Sequence, residues 1–252
     1  MMALFRLVLL LFLSSCTAVL ADFLFDINAV SVYSCSENST IATPQMSANI
    51  DSLVADLASS ASQNRFSVAT YGKGTDQVYG LGQCRRDLNG KDCTACLHNT
   101  TQTIRTYCAN RADVWMWYND TCFLRFTENK FYGIVDPSTF TNFFLGDHPQ
   151  HPTAFKKQLD ALISKVSSEA IVPANEAVGK GSTFSVASNA TIYAMAQCTR
   201  DLSQHSCNEC LNTVTGNLLK FCKNEKTVGC RVASTGCYVH YETYQFYYPL
   251  DL

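Results

Sequence analysis

The segment Tyr79–Leu97 reads YGLGQCRRDLNGKDCTACL, and 114 residues later Tyr193–Leu211 reads YAMAQCTRDLSQHSCNECL. Both carry QC-x-RDL-x4-C-x2-CL. Outward from this pair the register persists. Cys108 and Cys222 each follow the last of these cysteines by twelve residues, and Cys122 and Cys237 stand 115 apart. FSVAT from Phe66 recurs as FSVAS from Phe184. Self-similarity at a fixed offset marks a duplicated folding unit, so tandem homologous domains are expected. The polar stretch from Pro137 to Pro149 places the boundary, giving domains over 22–136 and 150–252 with a linker at 137–149.

Helical periodicity locates two helices per half. Met46, Ile50, Leu53, Val54, Leu57 and Ala61 form one apolar stripe at about 100° per residue, and Phe155, Leu159, Leu162, Ile163, Val166 and Ala170 repeat its spacing. Pro44 and Pro152 stand where a first helical turn tolerates proline. After each C-x2-C a second helix follows. It aligns Cys93, Cys96, Leu97, Ile104 and Cys108 in one half, and Cys207, Cys210, Leu211, Val214, Leu218 and Cys222 in the other. Asn99 falls well off that face. Aromatic and β-branched runs at Phe23–Tyr33, Val78–Gln83, Val114–Tyr118, Phe123–Phe126 and Phe131–Val135 read as strands. Short turns between them favour an antiparallel sheet. The expected class is α+β, two helices on an antiparallel sheet, twice over.

Composition sets the compartment. Net charge is −2 and no half is strongly basic, which argues against nucleic-acid binding by counterion release. Residues 1–21, MMALFRLVLLLFLSSCTAVLA, have a short basic start, an apolar centre and a small-residue end, the pattern of a secretory signal peptide. Leu13-Ser14-Ser15-Cys16 resembles a lipobox, but sequons at Asn38, Asn99, Asn119 and Asn189 favour a eukaryotic secretory route. Removing the peptide takes away Cys16 and Arg6, leaving twelve cysteines and a charge of −3. No later stretch is apolar enough to span a membrane.

Three chemistries compete for the cysteines. Zinc needs four nitrogen or sulfur ligands, and each half offers one C-x2-C with no matched His pair, so no metal is expected. A redox pair would sit at a helix start with few other cysteines. Four further cysteines per half favour structural disulfides. Six cysteines allow 15 connectivities, so spacing alone leaves the pairing open.

The C-x8-C-x2-C signature (Cys84, Cys93, Cys96; Cys198, Cys207, Cys210), preceded by QC-x-RDL and followed by CFLRF or CYVHYE, resembles the ginkbilobin-homologous, or stress-antifungal, domain of land plants. Two such domains behind a signal peptide resemble the cysteine-rich repeat secretory proteins. The resemblance implies two helices on an antiparallel sheet and three disulfides per domain. In the first half these are Cys35–Cys108, Cys84–Cys93 and Cys96–Cys122. In the second they are Cys198–Cys207 and Cys210–Cys237. That half has no counterpart of Cys35 and an extra Cys230, so parity suggests Cys222–Cys230. Its first strand is then untethered.

The resemblance also implies a function. Ginkbilobin-like antifungal proteins bind mannose through an Asn, an Arg and a Glu. Arg231 and Glu242 match the last two in the second half, where the Asn place is lost. In the first half the places fall at Ser36, near Val114 and Trp115, and at Thr127. Arg231 and Glu242 are thus candidate carbohydrate-binding residues; the plainer reading is a surface ion pair between strands. VWMWY at 114–118 reads as sheet and core packing rather than a sugar platform, and Asp87 and Asp201 of the repeated RDL as fold residues. No hydrolase, zinc-protease or phosphate-loop motif occurs, so neither enzyme nor cofactor is expected. The expectation is a secreted apoplastic binding protein with a defence role, recognising mannose or a fungal wall glycan. The rival is a protein-interaction module for a receptor ectodomain or apoplastic enzyme.

Overall fold

The computed structural model describes residues 31–136, 138, 140–145, 151–186, 189–222 and 227–248. The expected signal peptide and most of the expected strand Phe23–Tyr33 lie outside them. Each half runs strand, helix, two strands, helix, two strands. The first module has β1 (Val32–Cys35), α1 (Pro44–Asn64), β2 (Phe66–Tyr71), β3 (Val78–Cys84), α2 (Gly90–Tyr107), β4 (Val114–Tyr118) and β5 (Cys122–Thr127). The second has β6 (Phe140–Leu145), α3 (Pro152–Ala170), β7 (Val178–Ser185), β8 (Ala190–Cys198), α4 (Gln204–Phe221), β9 (Thr227–Ala233) and β10 (Cys237–Glu242). The sheets are antiparallel and equivalent, ordered β1-β4-β5-β3-β2 and β6-β9-β10-β8-β7.

Local chemistry fixes the helix ends. The Thr43 hydroxyl accepts from the Met46 N–H at 3.0 Å ahead of Pro44, and Arg65, at φ 64°, closes α1 by donating to the Ala61 carbonyl. Asn89 and Ser203 cap α2 and α4 in the same way. Both apolar stripes read from the sequence are buried, as are the cysteines of α2 and α4. The five pairings implied by the resemblance, Cys35–Cys108, Cys84–Cys93, Cys96–Cys122, Cys198–Cys207 and Cys210–Cys237, are present, as is Cys222–Cys230, the pairing that parity suggested.

Two expectations need correction. Phe131–Val135 is a turn rather than a strand: Gly133 has φ 75°, and Ile134 N–H bonds back to the Phe131 carbonyl. Its aromatic residues are used as packing groups, with Phe131 under the Arg125 guanidinium at 4.1 Å. The stretch expected as a linker, 137–149, holds β6, which pairs with β9 from Phe140↔Ala233 onward. The polar residues and prolines that flank FTNFFL hid an edge strand, which pairs with β9 and carries no cysteine tether.

Alternation then explains how the halves join. In β5, Cys122, Leu124 and Phe126 face the helices, while Phe123 points to the other side; in β10, Cys237, Val239 and Tyr241 face the helices and Tyr238 does not. Those second faces form a shared core of Val32, Leu81, Trp115, Trp117, Phe123, Phe131, Val178, Met195, Ala233 and Tyr238. The molecule is therefore layered helices, sheet, sheet, helices. The Trp117 indole donates to the Ser234 carbonyl across the joint at 2.8 Å, and the Gln83 amide bonds the Cys198 carbonyl and the Arg200 N–H, both at 2.8 Å.

Candidate functional site between the modules

The β4–β5 turn carries Asn119 and Asp120 at φ 47° and 54°, with Thr121 N–H donating to the Tyr118 carbonyl at 2.9 Å. Positive φ at two successive turn positions suits Asn and Asp better than most residues and matches the twist of a hairpin. This turn pushes the Asp120 carboxylate into the second module. There it pairs with Arg231 of β9, while its Oδ2 lies 2.8 Å from Nδ1 of His240 on β10. The other ring nitrogen of His240 is 3.1 Å from Oε1 of Glu242. Gly229 is needed beside it, since a Cβ there would overlap the Glu242 carboxylate. Arg85 Nη1 donates to the Asp120 carbonyl at 3.2 Å and Nε to Asp87 at 2.6 Å.

Burial alone would raise the Asp120 carboxyl, but Arg231 and His240 reverse this and hold it at about 2. Burial would likewise lower His240, yet the neighbouring carboxylates of Asp120 and Glu242 raise it above the usual histidine value. Tyr238, walled in by the shared core, is pushed well above the ordinary phenol range by burial.

This is where the two sugar candidates stand. Arg231 is 0% exposed and Glu242 3% exposed, so neither presents a polar edge to solvent, and they do not form the surface ion pair that was the plainer reading. The structure does bring them into one cluster, through His240. Sequence reasoning missed Asp120 and His240, which complete it.

The first module contains the pseudo-symmetric counterpart. Trp115 pairs with Arg125 across β4 and β5 as Arg231 pairs with His240 across β9 and β10. Opposite it is the β9–β10 turn of the second module, one residue shorter, which offers Thr235 where the first module offers Asp120. The smaller, uncharged residue leaves a cavity of about 150 Å³ lined by Ser34, Ser36, Asp113, Trp115, Arg125, Asp136, Ser138 and Thr235. Ser36 and Trp115 are places the resemblance assigned to a ligand; Thr127 is not among the lining residues but hydrogen-bonds Asp113, which is. Burial raises Asp113 against the opposing pull of Arg125, and burial lowers Arg125. Thr235 is 5% exposed, and its hydroxyl has no hydrogen-bond partner among the described residues. Together these groups can hold a small ligand rich in hydroxyls.

The four sequon asparagines, Asn38, Asn99, Asn119 and Asn189, are all exposed. Among the described residues no group of histidine, cysteine and acidic side chains is placed to hold a metal, and no helix is long and apolar enough to cross a membrane.

Comparison with known proteins agrees with this architecture. Residues 34–129 and 145–244 each match the family described as salt stress response/antifungal. The chain is 40% identical over 222 residues to cysteine-rich repeat secretory protein 55 of Arabidopsis thaliana, covering 86% of this chain and 83% of that one. It is 29% identical over 211 residues to an antimicrobial ginkbilobin-2-like protein of Castanea crenata, covering 84% and 86%. Among solved structures it resembles the tandem DUF26 ectodomain of the Arabidopsis thaliana cysteine-rich receptor-like protein PDLP8, with a TM-score of 0.71 at 25% identity over 84% of this chain and 97% of that one. Matched twice, over most of its length, the chain belongs to the salt stress response/antifungal family.

Proposed function

We propose that this secreted cysteine-rich repeat protein is a non-catalytic binding protein of the plant apoplast with a defence role, and that it receives a sugar residue, of mannose type or from a fungal wall glycan, in the first-module cavity. Arg231 and Glu242 then serve the joint rather than the ligand. The observation that carries this reading is the contrast between equivalent places: one filled by Asp120, the other left open beside the unpartnered Thr235 hydroxyl. A hexose needs convergent donors and acceptors next to an aromatic surface, and the hydroxyls of Ser34, Ser36, Ser138 and Thr235, with Asp113, Arg125 and Trp115, supply them. The antimicrobial relative supports the defence role.

A glycan array followed by calorimetry tests the reading. Wild-type protein is expected to bind a mannose-type or fungal oligosaccharide, and Ser36→Tyr, which fills the cavity from the β1 side, is expected to weaken binding at least tenfold with an unchanged melting curve. Equal binding by Ser36→Tyr, or silence on every glycan, overturns it. A protein-interaction role is the second reading, favoured by Phe184 and Val186, 54% and 81% exposed at the end of the edge strand β7. Silence on glycans with a specific protein captured by wild type but not by Phe184→Ser would establish that role instead.

A further inference from the structure

The histidine between the modules has a carboxylate close to each of its ring nitrogens, a setting that favours its charged form. A neutral imidazole has one N–H donor and one lone pair, whereas an imidazolium donates from both nitrogens. In His240 both nitrogens face carboxylate oxygens, Asp120 at 2.8 Å and Glu242 at 3.1 Å. A lone pair aimed at either carboxylate would be repelled, so the charged ring is the form that fits. Charge balance agrees: Arg231 and His240 against Asp120 and Glu242 makes a neutral quartet, and Arg85 with Asp87 makes a neutral pair beside it. Loss of the His240 proton would leave one uncompensated negative charge among residues sealed from water.

We propose that His240 is an acid-stabilised latch on the joint between the two modules. As an imidazolium it ties the first module's Asp120 turn to β10, and on losing its proton at higher pH it releases that turn. The neighbours do not offer a substitute positive charge. Arg231 is already engaged with Asp120, Arg85 is shared between Asp87 and the Asp120 carbonyl, and the Tyr238 and Tyr244 phenols are raised by burial and stay neutral. Met195 lies opposite on β8 and the Phe246 ring stacks on the imidazole at 4.2 Å, both uncharged. The latch does not depend on the nature of the ligand.

The sign follows from linkage. His240 is raised in the closed joint, so the latch is complete below the ordinary histidine value and weakens as pH rises through the closed-state value. The Trp117 indole N–H, bonded across the joint to the Ser234 carbonyl, reports opening. Its exchange in the full mature chain, corrected for intrinsic base catalysis, is expected to show an opening equilibrium that rises up to tenfold per pH unit above about pH 6.5 before levelling. His240→Gln is expected to abolish that slope. An equal slope in the variant, or a flat wild-type profile, overturns the proposal. If His240→Gln does not fold, nitrogen NMR of wild type decides. At pH 6.5, where an ordinary histidine is half protonated, most His240 rings are expected to carry protons on both nitrogens, and a bare nitrogen in half or more of them overturns the latch.

Discussion

The Asp87 carboxylate of the first module accepts the backbone N–H of Tyr248, in the tail of the second, at 2.7 Å. The relation is reciprocal: Asp201 accepts the N–H of Gly133, in the tail of the first module, at 2.8 Å. Each repeated RDL aspartate thus grips the segment that follows the last strand of the sister module. Around it the aromatic dipeptides repeat, with Tyr132 edge-on to Tyr79 and Tyr247 edge-on to Tyr193.

Asp87 also holds the buried Arg85 guanidinium, so the two grips differ in strength. Asp87→Ala strands that charge and is expected to cost about 3 to 5 kcal/mol, whereas Asp201→Ala loses mainly one hydrogen bond to a carboxylate and costs about 1 to 3 kcal/mol. Urea denaturation of both variants against wild type checks the order.

Asp120→Ala strips Arg231 of its carboxylate partner and leaves Glu242 as the one remaining carboxylate beside His240. The expected loss is about 3 to 5 kcal/mol, well beyond that of an ordinary surface substitution. Asp120 is held at about 2, so its contribution persists at pH 4 and is lost only as pH falls through about 2. Acid titration followed by tryptophan fluorescence, wild type against Asp120→Ala, reads that difference.

Gly229 lies against the Glu242 carboxylate, and Gly229→Ala drives a methyl into a buried, charged neighbour. The expected cost is about 1 to 3 kcal/mol, with Gly216→Ala on the α4 surface, where nothing lies within 4 Å, as a control that leaves stability unchanged or raised. Thermal melts distinguish the two.

The bridges differ in the loop they close. Cys35 and Cys108 are 73 residues apart and Cys222 and Cys230 only 8. Chain entropy assigns about 4 kcal/mol to the first and about 2.5 kcal/mol to the second. Paired alanine variants in equilibrium unfolding are expected to fall in that order.

The fold was legible where periodicity and repetition coincide. The stripes from Met46 to Ala61 and from Phe155 to Ala170 specify helices, and the offset of 114 specifies the duplication. β6 was not legible, because its short aromatic run FTNFFL is embedded between polar residues and prolines that read as a boundary. The joint was half legible: VWMWY and CFLRF are apolar on both faces, so a sheet covered by helices on one side requires a second cover. The cluster itself was hidden. Asp120 reads as part of a sequon and His240 as one histidine among five, and only hairpin geometry brings them together from 120 residues apart. Arg231 and Glu242 were visible as charged residues in strands, but not their partner across the joint.

Every disulfide closes within one module, and none crosses the joint. Reductant and pH therefore address different parts of the molecule, one the interior of each half, the other their association. A single cleavage between Val135 and Phe140 would give two covalently stapled fragments that remain together or part on noncovalent forces alone, turning the affinity of the halves for each other into a directly measurable dissociation constant.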